Sequence, residues 1–263
     1  MHGLLERWID RLQSQGRYTF LRAEALADSG LSEPAVSKAL QRAVKNGRLI
    51  RPKACFYVIV PLEHRISGAP PVFWYIHDLM AAMKLPYYVG LLSAAALHGA
   101  AHHQPQVFQV ITSRPVRPIR AGRAKIEFFA SKYVGQAATV EMKTDTGLVK
   151  VSSPETTVVD LVRFVKSAGH WEHVAFVISE LASTIKPDRL VAALQAVNDV
   201  PNAQRLGYIL DLPRRRKLFE PVHEWIERRV KRPQPLRPDR PIKNARENRR
   251  WHLFINDPLE IVA

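Results

Sequence analysis

Cysteine is the residue that this chain has least of: its 263 residues contain one, Cys55. A single thiol cannot form an internal disulfide. It also excludes zinc modules with two or more cysteines and C-x-x-C redox sites. Because Cys55 precedes the apolar stretch Phe56–Ile59, we expect a buried, inert thiol in a strand.

Long apolar runs are missing as well. The longest spans residues 87–101, and its 15 residues are interrupted by two glycines, a serine and a histidine. A membrane-spanning helix needs about 20 apolar residues. The N-terminal segment contains Glu6 and Asp10 and lacks the apolar centre of a secretory signal peptide. We therefore expect a cytoplasmic protein with no membrane partner.

Common catalytic motifs are absent too. The sequence contains no P-loop, no G-x-G-x-x-G, no G-x-S-x-G and no H-E-x-x-H. His98 and His102 have the i, i+4 spacing of metal ligands, and His103 is adjacent. Because no carboxylate is close in sequence, we interpret them as a solvated cluster at a helix end.

One pattern keeps an enzymatic alternative open. Glu141 and Lys143 form an E-x-K on a predicted strand, as in metal-dependent nucleases. Such a site needs an upstream acidic residue to hold the cation, and Glu127 is the only acid between Asp78 and Glu141. A nuclease-like enzyme remains the alternative; we expect no enzyme, no cofactor and no metal.

Acidic residues are few: 24 Asp and Glu face 39 Lys and Arg, for a net charge of +15. Residues 1–62 and 63–150 each carry +5, residues 151–230 carry +1, and residues 231–263 carry +4. This excess indicates an anionic partner such as nucleic acid. Solubility alone is the alternative explanation.

The first 62 residues show a regular succession of predicted elements. Apolar spacing and turn residues predict three helices, at 3–15, 22–29 and 33–46, and three strands, at 18–20, 48–51 and 55–60. Ser32 is expected to cap the third helix, with Pro34 in its first turn. This order is typical of a winged helix-turn-helix.

The third helix has a polar outer face that suits the major groove of DNA, where donors reach base edges and cations meet phosphates. Arginine and lysine on the wing would contact phosphates or the minor groove. The residues expected at DNA in this region are Ser32, Ser37, Lys38, Gln41, Arg42, Lys45, Arg48, Arg51 and Lys53. A solvated charged face, or a winged helix that binds protein, is the alternative.

Two further basic stretches could add phosphate contacts. Arginines recur at every third position from 114 to 123, and prolines at 115 and 118 exclude a regular helix there. A second run occupies residues 214–217. From these stretches we expect DNA contacts by Arg114, Arg117, Arg120, Arg214 and Arg215.

The predicted fold class is α+β, with a winged helix-turn-helix at 1–62, a linker at 63–71 and a larger mixed α/β domain at 72–263. The linker is rich in proline, and the larger domain ends in a basic, proline-rich region. Ser153 is expected to cap a helix that starts at Pro154. In the larger domain we predict helices at 73–84, 87–101, 172–182, 187–197 and 221–230, and strands at 107–112, 126–129, 139–142, 148–151 and 251–255.

The succession of these motifs resembles a known family. The residues that carry the resemblance follow the predicted winged helix and are Tyr88-Val89-Gly90, Ser93–Gly99, Val107–Thr112, Ser152–Asp160 and Arg205-Leu206-Gly207-Tyr208. Together they resemble the AbiEi antitoxins of type IV toxin–antitoxin systems, over nearly the whole chain.

The resemblance implies a DNA-binding repressor of its own operon. It also implies a C-terminal domain that counteracts a nucleotidyltransferase toxin without a stable complex. Two copies on a palindromic operator are expected if the protein binds as a pair. Of the family positions, we interpret Glu155 as a helix-start residue and predict that Asp160 and Arg205 form a buried pair. A protein-interaction adaptor that does not bind DNA remains a second alternative.

Overall fold

A computed structural model describes residues 3–100, 106–212 and 219–259. The chain divides into two compact units. The first comprises Met1–Tyr88, Gln106–Lys132 and Glu141–Lys150, and the second comprises Val89–Pro105, Tyr133–Val140 and Val151–Ala263. This division does not coincide with the predicted boundary at 63–71, because that segment folds within the first unit.

The first unit begins with three helices and a small sheet. The elements are α1 Leu4–Ser14, β1 Thr19–Leu21, α2 Arg22–Asp28, α3 Glu33–Lys45, β2 Leu49–Lys53 and β3 Phe56–Ile59. The strands pair antiparallel in the order β1-β3-β2. Apolar residues recur at helical spacing on α1 and α3. Among them, Ile9, Val36 and Leu40 are buried against this sheet. The ring of Phe20 stacks on Tyr57 at 5.4 Å.

The same unit continues with α4 Ile76–Ala82, β5 Val107–Thr112, β6 Ile119–Ala121 and β7 Ala124–Ala130. Strands β5, β6 and β7 belong to a six-stranded sheet together with β4 Tyr87–Val89, β8 Thr139–Thr144 and β9 Gly147–Ser152. The order of the strands is β6-β7-β5-β4-β9-β8. Strand β5 pairs parallel with β7, whereas β6 and β7 form an antiparallel hairpin.

In the second unit, helices surround one buried helix. The elements are α5 Leu91–Leu97, α6 Pro154–Arg163, α7 Trp171–Leu181, α8 Pro187–Val197, α9 Val200–Asp211 and α10 Glu220–Glu227, followed by β10 Gln234–Pro235, β11 Arg246–Asn248 and β12 Leu253–Ile255. Helix α6 packs against α5, α7, α8 and α9, which explains why residues 155–162 are all buried. The described elements therefore form a mixed α/β structure, in which no helix is long and apolar enough to span a membrane.

Two predicted features in the helical core are confirmed and one is wrong. Ser153 caps α6 by accepting a hydrogen bond from the backbone N–H of Thr156 at 3.2 Å. Glu155 lies in the first turn as expected, and its buried carboxylate also accepts the backbone N–H of Lys186 at 3.0 Å. This bond ties the start of α8 to α6.

The predicted ion pair between Asp160 and Arg205 is wrong. Asp160 pairs with Arg163, one turn further along the same helix, at 2.8 Å. Arg205 instead donates to the carbonyl oxygens of Pro235 and Leu236 at 3.0–3.2 Å. Burial lowers the pKa of the Arg205 guanidinium below its ordinary value.

Two local predictions also need correction. Residues 87–101 do not form one helix: Tyr87–Val89 is strand β4, and the helix begins only at Leu91. Cys55 is exposed rather than buried, because it lies with a positive φ of 62° in the turn between β2 and β3.

Helix α9 holds the C-terminal strands through the residues of its Q-R-L-G-Y segment. The side-chain amide of Gln204 donates to the carbonyl oxygen of His252 at 2.8 Å, and Arg205 binds the carbonyls at 235 and 236. Gly207 leaves room for the fully buried ring of Trp251, to which an added Cβ would come within 2.2 Å. Three residues of one helix thus dock the segment from 234 to 255.

Gly207→Ala is expected to lower the free energy of unfolding by about 1–3 kcal/mol, because a buried indole ring must move. This loss would exceed the gain of about 1 kcal/mol that alanine brings to a helix. Urea denaturation measures it. Gly135→Ala is the matched control, since its Cβ would meet no atom within 4 Å. Equal stability of the two variants would contradict this packing.

Candidate nucleic-acid interface

Helix α3 exposes polar side chains on the face opposite its buried residues. Its apolar side, Val36, Leu40 and Ala43, lies in the core. The side chains of Lys38, Gln41, Arg42 and Lys45 are exposed. One side of the helix therefore offers an amide and three cations to solvent.

Two serines near the start of α3 are placed differently from these cations. Ser32 is exposed and occupies the N-cap position, but its side chain makes no capping hydrogen bond. The prediction of a side-chain cap is wrong, although the Ser32 carbonyl accepts the N–H of Val36 at 2.9 Å. The Ser37 hydroxyl is half-buried and accepts a hydrogen bond from Arg22 at 2.9 Å.

Arg22 is a residue that the sequence analysis missed. Its guanidinium bridges Ser37 and Glu33 on α3, with an ion pair to Glu33 of 3.0 Å. The bridge orients α2 and α3 against one another. Arg22 and Ser37 are 15 residues apart, so no local sequence pattern indicates their hydrogen bond.

The three basic residues that were predicted to lie on a wing divide into two groups. Arg51 and Lys53 on β2 are exposed. Arg48 is not available to DNA as predicted, because its guanidinium binds Asp10 at 2.6 Å and Gln13 at 2.9 Å. Only 13% of its side chain is exposed. Arg48 therefore clamps the start of β2 to α1.

The arginine hairpin, which we define as residues 114–123, belongs to the same compact unit as α3 and the wing. Arg114, Arg117 and Arg120 are exposed. The sequence predicted a basic loop or edge, and β6 is indeed the edge strand of the sheet. Strand β2 lies against β6.

A close backbone contact fixes this hairpin. Gly122 has a positive φ of 57°, and a Cβ there would lie 2.6 Å from the carbonyl carbon of Gly68. The N–H of Arg123 donates to the Ser67 carbonyl at 3.1 Å. Residues 67 and 68, which were expected in a linker between domains, thus support the arginine hairpin.

Other predicted site residues fall elsewhere. Arg214 and Arg215 lie outside the described residues, as do His102 and His103. His98 contacts the Ser152 carbonyl through Nε2 at 2.7 Å. Across residues 3–100, 106–212 and 219–259, no group of three metal-ligating side chains is found.

The residues of the nuclease alternative are not brought together. Glu127 lies on β7, the second strand of the sheet, and Glu141 on β8, the sixth. Four strand spacings separate them by roughly 19 Å, too far to share a cation. Glu127 also forms an ion pair with Lys125.

Residues 88–212 match the family model described as the AbiEi antitoxin C-terminal domain. The matched segment is 125 of the 263 residues, so this part of the chain is similar to an AbiEi antitoxin domain. The predicted resemblance is confirmed over this segment, and it supports an antitoxin role. A search of the curated proteins finds no match.

Among solved structures, the RV2827C protein from Mycobacterium tuberculosis is similar, with a TM-score of 0.68 and 14% identity. The alignment covers 95% of this chain and 90% of that one, so the likeness is one of overall fold. An antigenic nucleotidyltransferase-like protein from Paracoccidioides brasiliensis aligns with a TM-score of 0.34 and 8% identity, over 57% of this chain and 90% of that chain. That score is too low to support a shared fold.

Arg48→Ala is expected to lower the free energy of unfolding by about 1–2 kcal/mol, because two polar groups on α1 lose their partner. Arg51→Ala removes the same charge from an exposed position and should change it by less than about 0.5 kcal/mol. Urea denaturation of both variants measures the difference. Equal effects would show that Arg48 is no clamp.

Proposed function

We propose that this AbiEi-type protein is a sequence-specific DNA-binding repressor of its own operon and an antitoxin against a nucleotidyltransferase toxin. The observation that carries the DNA-binding part is the exposed face of α3, which shares one compact unit with the wing and the arginine hairpin. The match to the AbiEi domain supports the antitoxin part.

The proposal treats residues 1–62 as a winged helix-turn-helix. The order of elements, with α3 after a short turn and the β2–β3 hairpin behind it, favours this interpretation. In such a domain the recognition helix enters the major groove. In this proposal Gln41 would pair with adenine and Arg42 with guanine, while Lys38 and Lys45 would meet phosphates.

The wing and the arginine hairpin would extend the contact along the phosphate backbone. Arg51 and Lys53 lie on β2, and Arg114, Arg117 and Arg120 lie on or before the neighbouring strand β6. Phosphate contacts fix the register of a protein on DNA without reading sequence. Two copies would bind a palindromic operator, each reading one half-site.

The antitoxin role is assigned to the domain matched at 88–212. AbiEi antitoxins are generally not enzymes, and we propose the same for this chain, without cofactor or metal. Neutralisation of the toxin would occur without a stable complex. A protein-interaction adaptor that does not bind DNA is the alternative that the next experiment separates.

The DNA upstream of the gene is expected to bind at least about 100-fold more tightly than a scrambled duplex, a difference of about 2.7 kcal/mol. Fluorescence anisotropy at about 0.15 M salt measures both affinities, since diffuse attraction is damped at that ionic strength. Equal binding of the two duplexes would reject sequence-specific repression. No binding to either would favour the adaptor.

Gln41→Ala and Arg42→Ala are each expected to lose about 1–3 kcal/mol of preference for the native sequence. Lys53→Ala should weaken native and scrambled duplexes alike, because phosphate contacts are independent of sequence. In cells, the Gln41 and Arg42 variants should lose repression while retaining protection against the toxin. Retained preference in both variants would place the reading surface elsewhere.

The triple change of Arg114, Arg117 and Arg120 to Ala tests the arginine hairpin. If the intact protein neutralises about 6–8 phosphates, log K falls with log salt at a slope of about −5 to −7. The triple variant should reduce that slope by about 2–3 units. The matched control changes three exposed cations of the second unit, Lys166, Arg189 and Lys231. An equal effect of the control would show that only net charge matters.

A further inference from the structure

The C-terminal strands docked by α9 border an open cavity in the second unit, which is a second candidate binding site. A cavity of about 860 Å³ lies between the end of α9 and the β11–β12 hairpin. Tyr208, Arg246, Arg249 and Ile255 are among its lining residues. The volume is in the range of about 300–1,000 Å³ that is usual for small-molecule sites.

The Q-R-L-G-Y segment explains how this cavity arises. Gln204, Arg205 and Gly207 hold the strands and Trp251 against α9. Tyr208, the last residue of the segment, lines the cavity instead. The arginines opposite it lie beyond residue 212, where the AbiEi match ends.

The charges that line the cavity are of two kinds. Arg250 is committed to the protein, because its guanidinium pairs with Asp211 at 3.2 Å and with Glu220 at 2.8 Å. The exposed side chains of Arg246 and Arg249 have no hydrogen-bond or ion-pair partner within the described part of the chain. Glu247 adds one carboxylate at the rim.

The remaining lining groups are donors and apolar faces. Burial raises the pKa of Tyr208 above its ordinary value, so its phenol stays protonated and able to donate a hydrogen bond. Asn248 uses its carbonyl oxygen to accept the N–H of Trp251 at 3.1 Å, which leaves its amide N–H₂ group as a donor. Ile255 and Pro258 provide apolar surface.

From this arrangement we propose that the cavity binds a phosphate-bearing nucleotide. The guanidinium groups of Arg246 and Arg249 would hold the phosphates, since arginine matches phosphate oxygens in two-point hydrogen bonds. Tyr208 would donate to a phosphate oxygen or stack on the base, next to the apolar faces of Ile255 and Pro258. A free nucleotide and the phosphorylated end of a single strand share this chemistry.

Isothermal titration calorimetry of the full-length protein with ATP, in buffer without magnesium, tests the proposal. We expect saturable binding that weakens about tenfold or more in the double variant R246A/R249A, because charge-assisted hydrogen bonds are lost. Glu247→Gln should tighten binding, since it removes a repelling carboxylate. The variant K231A/K243A removes the same charge from exposed positions outside the cavity and should bind as the native protein does.

Two further titrations separate the sources of the ligand and the contribution of its phosphates. An eight-nucleotide single-stranded RNA with a 5′ phosphate that binds more tightly than ATP would assign the site to strand ends, and the reverse order would assign it to free nucleotides. Adenosine should bind far more weakly than either. The proposal is overturned if neither ATP nor the RNA binds, if adenosine binds as tightly, or if K231A/K243A loses as much affinity as R246A/R249A.

The stability and DNA affinity of R246A/R249A complete the test. Because Arg246 and Arg249 are exposed and have no partner in the described residues, the double variant should unfold at the same urea concentration as the native protein. Because the cavity belongs to the second unit, the variant should also keep its preference for the upstream DNA. Loss of nucleotide binding with these properties retained supports a separate site. A matching loss of stability would instead make the arginines structural and would overturn the proposal.

Discussion

The contact between Gly68 and Gly122 is the constraint on which the proposed DNA interface depends. A side chain at Gly122 would overlap the backbone at residues 67 and 68, so β6 can lie this close to the segment that follows the wing only with glycine there. The contact holds the arginine hairpin in the unit that also contains α3 and β2. Under the proposed function, α3, the β2–β3 hairpin and the arginine hairpin would therefore act on one duplex without an intervening linker.

Arginine fulfils two opposite tasks in this protein. Arg48, Arg205 and Arg250 are largely buried and are held by carboxylates, an amide or backbone carbonyls, so they stabilise the fold. The arginines at 51, 114, 117 and 120 are exposed, and in the proposed function they would supply the charge for a polyanionic partner. The total of 39 Lys and Arg thus overstates the number of cations that can reach a ligand, because several are committed to the protein itself.

Sequence patterns predicted elements well where periodicity and terminal residues agree. Helix α8 and strand β5 have the predicted bounds. Helix α1 is one residue shorter than predicted at each end, and α2 and α3 are one residue shorter at the C-terminal end. Prediction failed at residues 87–101, because an apolar run without polar alternation does not distinguish a strand followed by a helix from one helix. Cys55 was misplaced because the turn of the wing contains neither glycine nor asparagine.

The candidate site shows the same limit. The exposed face of α3 could be predicted, since its buried residues recur with helical spacing. Three other features could not be predicted, because each depends on residues distant in sequence. These are the ion pair that occupies Arg48, the partner of Arg205 and the contact that supports the arginine hairpin. Asp10 lies 38 residues before Arg48, and Pro235 lies 30 residues after Arg205. Long-range hydrogen bonds leave no local pattern.

The central claim is that the wing lies on operator DNA, and Cys55 allows a direct measurement. It is the single cysteine of the chain and is exposed in the turn of the wing. An iron chelate attached to this thiol would generate hydroxyl radicals that cleave nearby DNA. The proposed function predicts cleavage of the upstream fragment at a few adjacent nucleotides, once in each half-site if two copies bind. Uniform cleavage along the fragment, or none, would contradict it.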